Sequence, residues 1–337
     1  MDKEMLNRCF EATPEELECL FEEGYAVARR RFSNEIHFYA PGMIHFESSF
    51  HMAKNPYRFP AISVTGRSCH LQCEHCRGKL LEEMISAPTP EALLRVCTEV
   101  KERGGGGCLI SGGSDPDGSV PLDDFLPTIK RVKTEIGLDV VVHTGLVHPE
   151  VAEALADAGV DAAMIDVIGS DETFRKVYHV DRGVAAVDRT LKIFEENGVE
   201  VVPHIVVGLD SGAIKGEKNA VRLLSRYSPA AVVIVALMPL EHTPMEHAVP
   251  PSPIDVSRVM LAARLGLPET PILLGCARPK GEAKAELDVL AIKAGVNGIA
   301  YPSEEGYEYA LSRGLKPLIH DECCALLYRN TSKPGRS

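Results

Sequence analysis

From residue 60 onward the chain keeps one rhythm, in which short β-branched runs alternate with amphipathic stretches of helical period. The apolar runs are "AISVTG" (61–66), "CLISGG" (108–113), "DVVVHTG" (139–145), "AAMIDVIG" (162–169), "VEVVPHIVVG" (199–208), "AVVIVALMP" (231–239), "PILLGC" (271–276) and "NGIAYP" (297–302). Helical stretches fall between most of them, at 89–103, 122–136, 149–158, 184–197, 216–227, 254–265 and 282–294. Strands alternating with helices imply parallel βαβ units. Eight such units predict an α/β fold, a (β/α)8 TIM-like barrel whose active site lies at the C-terminal strand ends. A doubly wound open sheet is the alternative.

The rhythm is preceded by an N-terminal helical and extended leader over residues 1–58. Thr13-Pro14-Glu15-Glu16 carries a helix start, with Thr at the cap, Pro at the first helical position and Glu three after the cap. That helix is expected to run to about Arg31, and "EIHFYA" (35–40) and "IHFESS" (44–49) read as short strands. The barrel is expected over 59–325 without an internal linker. A disordered tail is expected over 326–337, ending "RNTSKPGRS".

The 337 residues are ample for a sizeable core, and the net charge of −12 argues against a nucleic-acid partner, which would want a basic stripe. No segment approaches the run of about 20 apolar residues that spans a bilayer. The longest apolar stretch, "AAVVIVALMPL" (230–240), reads as a buried strand. The N-terminus "MDKEMLNRCF" has no apolar signal region. The expectation is a cytoplasmic protein with neither membrane nor nucleic-acid partner. Ten cysteines in such a chain point to metal ligation or redox chemistry rather than a disulfide framework, and several serve as small core residues.

Three of the ten fall within "GRSCHLQCEHCRGK" (66–79), as Cys69, Cys73 and Cys76 in a C-x3-C-x2-C spacing just after the first barrel strand. A structural zinc site wants four ligands, and His70 or His75 could be the fourth. Three clustered thiolates instead suit a [4Fe–4S] cluster whose fourth iron stays free for an outside ligand.

That spacing, at that place, resembles the signature of the radical S-adenosylmethionine (SAM) enzymes, with His75 where the family usually has an aromatic residue. In that family the free iron chelates the amino and carboxylate groups of SAM, and an electron from the cluster cleaves SAM to methionine and a 5′-deoxyadenosyl radical. The radical takes a hydrogen atom from an unactivated carbon. The cofactors carry the difficult chemistry, and the protein orients them and excludes water. Later segments agree in order. "SGGSD" (111–115) resembles the turn that meets the SAM amino group, which implies Gly112, Gly113 and Ser114 as cofactor-binding residues; Ser114-Asp115 stands where the family has Glu. "GLDSG" (208–212) is similar to the glycine motif near the adenine, with Gly208, and "LMPLEHTPME" (237–246) to the sixth-strand segment, with His242 in place of glycine.

Over about residues 15 to 325 the chain most resembles the biotin synthase branch. In "MIDVIGSDETFRKVYHVDR", Asp166 matches the aspartate that contacts the SAM ribose and Arg182 the arginine that pairs with the SAM carboxylate. "ILLGCARPKGEAKAELDVLAIKAGVNGIAYP" resembles the seventh-strand segment of that branch, in which an arginine ligates an auxiliary cluster. Arg278 falls at that position, and Cys276, two residues earlier, could replace it. Sulfur-inserting members sacrifice such a cluster, and the resemblance implies a second iron–sulfur cluster on Cys276, Cys323 and Cys324, with Cys9 as the substitute ligand. Cys97 and Cys19 read as core residues, and Cys108 as a residue that could face the barrel interior.

The C-x4-C-x5-C triplet of lipoyl synthase is missing, and the leader "HFYAPGMIHFESS" resembles that of the archaeal-type two-protein lipoyl synthase subunits. The resemblance therefore implies a sulfurtransferase acting on a protein-bound octanoyl chain. Its partners would be an octanoylated carrier protein, a second radical SAM subunit and a reductant protein. An apolar pocket is expected for such a chain, from Val141, Ile165, Val206, Ala236 and Met238, with His143, Thr144 and His204 as polar exceptions. The radical itself performs the abstraction, so no general base is required for that step, and no catalytic side chain is assigned. A radical SAM methylase, mutase or metallocofactor maturase without sulfur chemistry is the alternative. A non-enzymatic iron–sulfur or zinc protein is the alternative from another class.

Overall fold

The computed structural model describes residues 3–42, 45–53 and 55–331. Its strands are β1 (Glu35–Tyr39), β2 (Ala61–Ser63), β3 (Ile85–Ser86), β4 (Gly107–Ser111), β5 (Asp139–His143), β6 (Ala162–Asp166), β7 (Val201–Val207), β8 (Val232–Ala236), β9 (Ile272–Leu274), β10 (Gly298–Ala300) and β11 (Lys316–His320). They form one sheet in the order β11-β1-β10-β9-β8-β7-β6-β5-β4-β2-β3, and every adjacent pair is parallel. All eight expected barrel strands are present, β2 and β4 to β10, neighbouring one another in chain order as helical crossovers require. The fold is the expected TIM-like α/β barrel. It differs in closure: among the described residues β11 and β3 are the sheet's two ends, so the barrel is a curled, open one.

The leader is not a separate appendage. β1 is inserted between β10 and β11, with His37 opposite both Gly298 and Leu318, so the first strand of the chain completes the far edge of the sheet. Before it, helix Pro14–Arg31 begins with the expected capping box: Glu16 N–H donates to Thr13 Oγ1 at 3.3 Å and Thr13 N–H donates to the Glu16 carboxylate at 2.8 Å. The second expected leader strand does not form. Residue 44 lies outside the described residues, and 45–49 contribute only an isolated antiparallel bridge between Glu47 and Met52.

Successive strand side chains face opposite sides of the sheet, and the core divides accordingly. Val140 and Val142 face the helices together with Leu93, Val100, Leu155 and Phe194. Val141 faces the interior with Tyr39, Phe59, Ala162, Val202, Val233 and Leu273.

The expected disordered tail is corrected over its described part. A 3-10 turn (Cys324–Leu326) and a short helix (Leu327–Asn330) follow β11, and Ala325, Leu326 and Leu327 are fully buried in the barrel interior. Two adjacent leucines seated among inward strand residues outweigh the polar composition that suggested disorder; residues 332–337 lie outside the described residues. Among the described residues no helix is long and apolar enough to cross a membrane.

Candidate active site

A cavity of about 450 Å³ opens at the C-terminal strand ends, where a barrel places its chemistry. Cys69, Cys73 and Cys76 line it, carried by the loop after β2. That loop is a chain of tight turns: Cys76 and Arg77 N–H both donate to the Cys73 carbonyl, at 3.1 and 2.9 Å, and Gln72, Arg77 and Gly78 hold positive φ. The loop is seated on the β4 turn. Thr65 Oγ1 accepts from Gly113 N–H at 2.7 Å and donates to the Ser68 carbonyl at 2.8 Å. A Cβ on Gly113 would lie 2.0 Å from the Ser68 oxygen and 2.5 Å from Cys69 Cβ, so only glycine lets the two backbones approach this closely.

Ligand atoms of Cys73, His75 and Cys76 lie within 4.8 Å of one another. The hydrogen bond from Cys73 and the neighbouring His75 pull the Cys76 thiol down, and the shared proton keeps Cys73 high. A thiolate is the form that ligates metal. His70 does not join the group: it is exposed, with Nδ1 3.5 Å from Asp115. His75 is the imidazole at the thiols, packed with its ring centroid 5.4 Å from that of Tyr178.

Across the cavity Asp166, at the end of β6, is held from two sides. Tyr178 Oη donates to Oδ2 at 3.0 Å, and His143 Nε2 lies 3.5 Å from Oδ1. Burial pushes this carboxyl up, but His143, His204 and Tyr178 outweigh it and hold Asp166 well below the usual carboxylate range. His204, with its ring 5.9 Å from that of His143, is pushed down to about 4 by burial and is neutral at pH 7; its Nδ1 meets the Val202 carbonyl at 3.1 Å. Thr144 is turned away, its hydroxyl donating to the Gly145 carbonyl at 2.9 Å. Of the expected pocket residues, His143, Ile165, His204, Val206, Ala236 and Met238 line the cavity, while Val141 lies in the packed interior.

Gly112, Gly113 and Ser114 also line the cavity. Two expected cofactor residues are not on its wall. Gly208 sits in a turn at φ +76°, its N–H donating to the buried Glu217 carboxylate at 2.7 Å. Arg182 is exposed at the N-cap position of helix Gly183–Glu196, where its charge helps to lower Asp117. Tyr178 and Glu217 were not marked by any sequence pattern, since each acts through a neighbour fixed only by the fold.

The same cavity is lined by Cys276, after β9, and by Cys324. The Cys276 thiol is open to the cavity yet deep in the protein, and desolvation raises its pKa. Cys323 lies beside Cys324, whose hydrogen bond lowers the Cys323 thiol. The other cysteines are elsewhere. Cys9 is fully buried in the outer layer, where its helix packs on helix Pro253–Gly266, so it cannot substitute as a ligand in the cavity. Cys108 faces the helices rather than the interior, with Sγ 4.0 Å from that of the core residue Cys97. Cys19 is exposed rather than core. Arg278 is not available as a ligand either. It is 2% exposed, and its guanidinium donates to Asp288 Oδ1 at 3.0 Å and to the Gly275 and Tyr301 carbonyls at 2.6 and 3.1 Å.

Comparison with known proteins places this geometry. The family model described as "Radical SAM superfamily" matches residues 63–211, and that described as "Biotin and Thiamin Synthesis associated domain" matches residues 234–330. The chain belongs to the radical SAM superfamily, in its biotin synthase-like branch. A biotin synthase from Halorhodospira halophila is 28% identical over 247 residues, covering 71% of this chain and 73% of that protein. Among solved structures, a methylornithine synthase superposes with a TM-score of 0.64 at 19% identity over 93% of each chain. An [FeFe]-hydrogenase maturase from Carboxydothermus hydrogenoformans gives 0.64 at 15% identity, over 93% of this chain and 74% of that one. At these identities the two structures share the fold.

For a radical SAM enzyme the donor set fits. A [4Fe–4S] cluster held by three protein thiolates takes one on each of three irons. Here three thiols line one wall, one of them is held low, and a glycine cradle seats their loop. Cys69, Cys73 and Cys76 are the residues that would hold the [4Fe–4S] cluster.

Proposed function

We propose that this enzyme inserts sulfur at an unactivated C–H of an apolar acyl chain, the octanoyl group of a carrier protein, as one half of a two-protein lipoyl synthase. The observation that carries the reading is the single cavity with Cys69, Cys73 and Cys76 on its wall and Cys276 and Cys324 also on it, Cys323 lying behind. The wall includes Leu109, Met164, Val206, Val233, Val235 and Leu237, suited to an aliphatic chain. Cys69, Cys73 and Cys76 would hold the cluster that, with SAM, would supply the radical, and Cys276, Cys323 and Cys324 would hold a second cluster as the sulfur source. The chain's own residues bind and orient: the apolar wall excludes water, Asp166 presents an ionised carboxylate toward SAM, and no general base is required. The second radical SAM subunit and a reductant protein complete the scheme.

The test is an anaerobic count of iron and sulfide in the wild type and in a Cys69/Cys73/Cys76→Ala triple variant. Retention of about four irons in the variant supports a second cluster and sulfur insertion. A variant without iron overturns the reading and leaves a methylase, mutase or maturase. A reconstituted wild type that fails to cleave SAM under reduction would leave a non-enzymatic iron–sulfur or zinc protein.

A further inference from the structure

Two of the three thiols assigned to the sulfur source stand on a segment that the barrel did not need for its sheet. After β11 the chain turns inward, and the turn Cys324–Leu326 crosses the barrel interior, touching β10 on one side and β6 on the other. Ala325, Leu326 and Leu327 pack there against Phe59, Ala162 and Val202. Cys324 lines the cavity above them, so this segment is the cavity's floor.

The floor is fastened at its far end. Arg329 pairs with Asp139 at 3.0 Å, at the start of β5, and with Asp161, just before β6. Asp161 is 7% exposed and is also held by Lys133 at 2.6 Å and by the Val140 N–H at 2.5 Å. Two aspartates and two cations thus balance at the N-terminal end of the barrel. Tyr328 Oη donates to the Asp161 carbonyl at 2.5 Å, and Asn330 Nδ2 donates to Glu322 and to the Tyr39 hydroxyl, at 2.6 and 3.1 Å. Arg329 itself is about one-third exposed, so the fastening faces solvent, while Cys323 is buried and Cys324 is only partly exposed, toward the cavity. Its ion pairs hold only one turn of helix, too short to persist alone in water.

We propose that residues 323–330 are a latched floor, with Arg329 the positioning residue that keeps Cys323 and Cys324 under the cavity, and that the second thiol site is filled and emptied through the barrel's N-terminal end when the latch opens. This inference rests on the sulfur-source reading of those cysteines. A sulfur source consumed in turnover has to be restored, and the cavity mouth on the opposite side is where SAM sits.

The test uses the full chain with Arg329→Ala and Arg329→Lys. In the Cys69/Cys73/Cys76→Ala background, so that only second-site iron is counted, release to a ferrous chelator is followed anaerobically. Apo protein of wild-type thiol content is labelled with a small thiol reagent and read peptide by peptide. Amide exchange is measured over 323–330. With Arg329→Ala, iron release, Cys323/Cys324 labelling and amide exchange should each rise about tenfold, the scale of one lost charge-assisted hydrogen bond. Arg329→Lys should restore most of the loss, and SAM-site iron in a Cys276/Cys323/Cys324→Ala background should be unaffected. Unchanged labelling and exchange would overturn the latch, and so would equal loosening of both sites. If the background protein binds no iron at all, the sulfur-source reading fails, while labelling and exchange still decide whether the floor is latched.

Discussion

Tyr178 Oη donates to Asp166 Oδ2 across 3.0 Å while the same ring packs at a tilt of 41° against His75, one residue before Cys76. One phenol therefore joins the thiol loop after β2 to the carboxylate at the end of β6. Replacing Tyr178 by Phe keeps the ring packing and deletes the hydrogen bond. The expected outcome is SAM binding weakened about tenfold, the scale of a hydrogen bond to a charged group, with iron content unchanged. Equilibrium dialysis with SAM and iron analysis on the same sample check it; unaltered SAM affinity would show that Asp166 needs no such support.

The close approach at Gly113 makes a second prediction. An alanine there meets backbone and Cys69 Cβ, which cannot rotate away, whereas an alanine at Gly112 meets the Thr65 side chain at 3.0 Å. Gly113→Ala is expected to lose the SAM-site iron, about four per chain, with the circular dichroism spectrum retained. Gly112→Ala should keep most of it.

Acid stability follows from two buried imidazoles. His37, facing His320, Glu35 and Arg29, is pushed down to about 4 by burial, and its Nδ1 lies 3.0 Å from His320 Nε2. His204, facing His143 and Asp166, is also held at about 4 by burial. In the unfolded chain both take up a proton near 6.5. Between these values the unfolded state binds more protons, so stability is complete above about pH 6.5 and is lost as pH falls toward 4, by up to about 1.4 kcal/mol per pH unit for each group. Thermal unfolding of the apo protein between pH 7 and 4 should show this decline, and His37→Asn should flatten it. A wild-type slope matched by the variant would refute the assignment.

Arg278 tests structure against ligation. Its guanidinium and Asp288 are both essentially buried, and Asp288 also accepts from Lys284 and from Ser303 N–H. Removing one partner of a buried pair costs about 3–5 kcal/mol, because the other charge is left uncompensated. Arg278→Ala should therefore lower the melting temperature by many degrees, and Arg278→Ala/Asp288→Ala should recover part of the loss. Iron content per folded chain should stay at the wild-type value, which a ligand role would not allow.

The strand rhythm and the thiol spacing were legible because both are local: seven of the eight barrel strands fall within the runs that the alternation marked, β4 starts one residue before its run, and Cys69, Cys73 and Cys76 need only one loop. Cys108 shows where locality ends. β4 begins at Gly107, so Leu109 and Ser111 face the cavity and Cys108 faces the helices. In a strand a one-residue uncertainty in phase turns every side chain to the other face. Cys19 was lost in the same way on a helix, where a small rotation of the apolar stripe separates core from solvent. The burial of Leu326 and Leu327 was invisible for a different reason: their partners, among them Phe59 and Val202, are more than a hundred residues away.

The placement of β1 between β10 and β11 has a consequence for the order in which the molecule can be made. Residue 37 pairs with residues 298 and 318, so β1 has no strand neighbour until β10 has followed it from the ribosome. Until then Ile36 and Phe38, both fully buried in the finished protein, are exposed on a strand with two unpaired edges. Contacts this distant in sequence are slow to form. The far wall of the barrel is thus a post-synthetic event, and a nascent chain that stalls before β10 carries a sticky strand with nowhere to go.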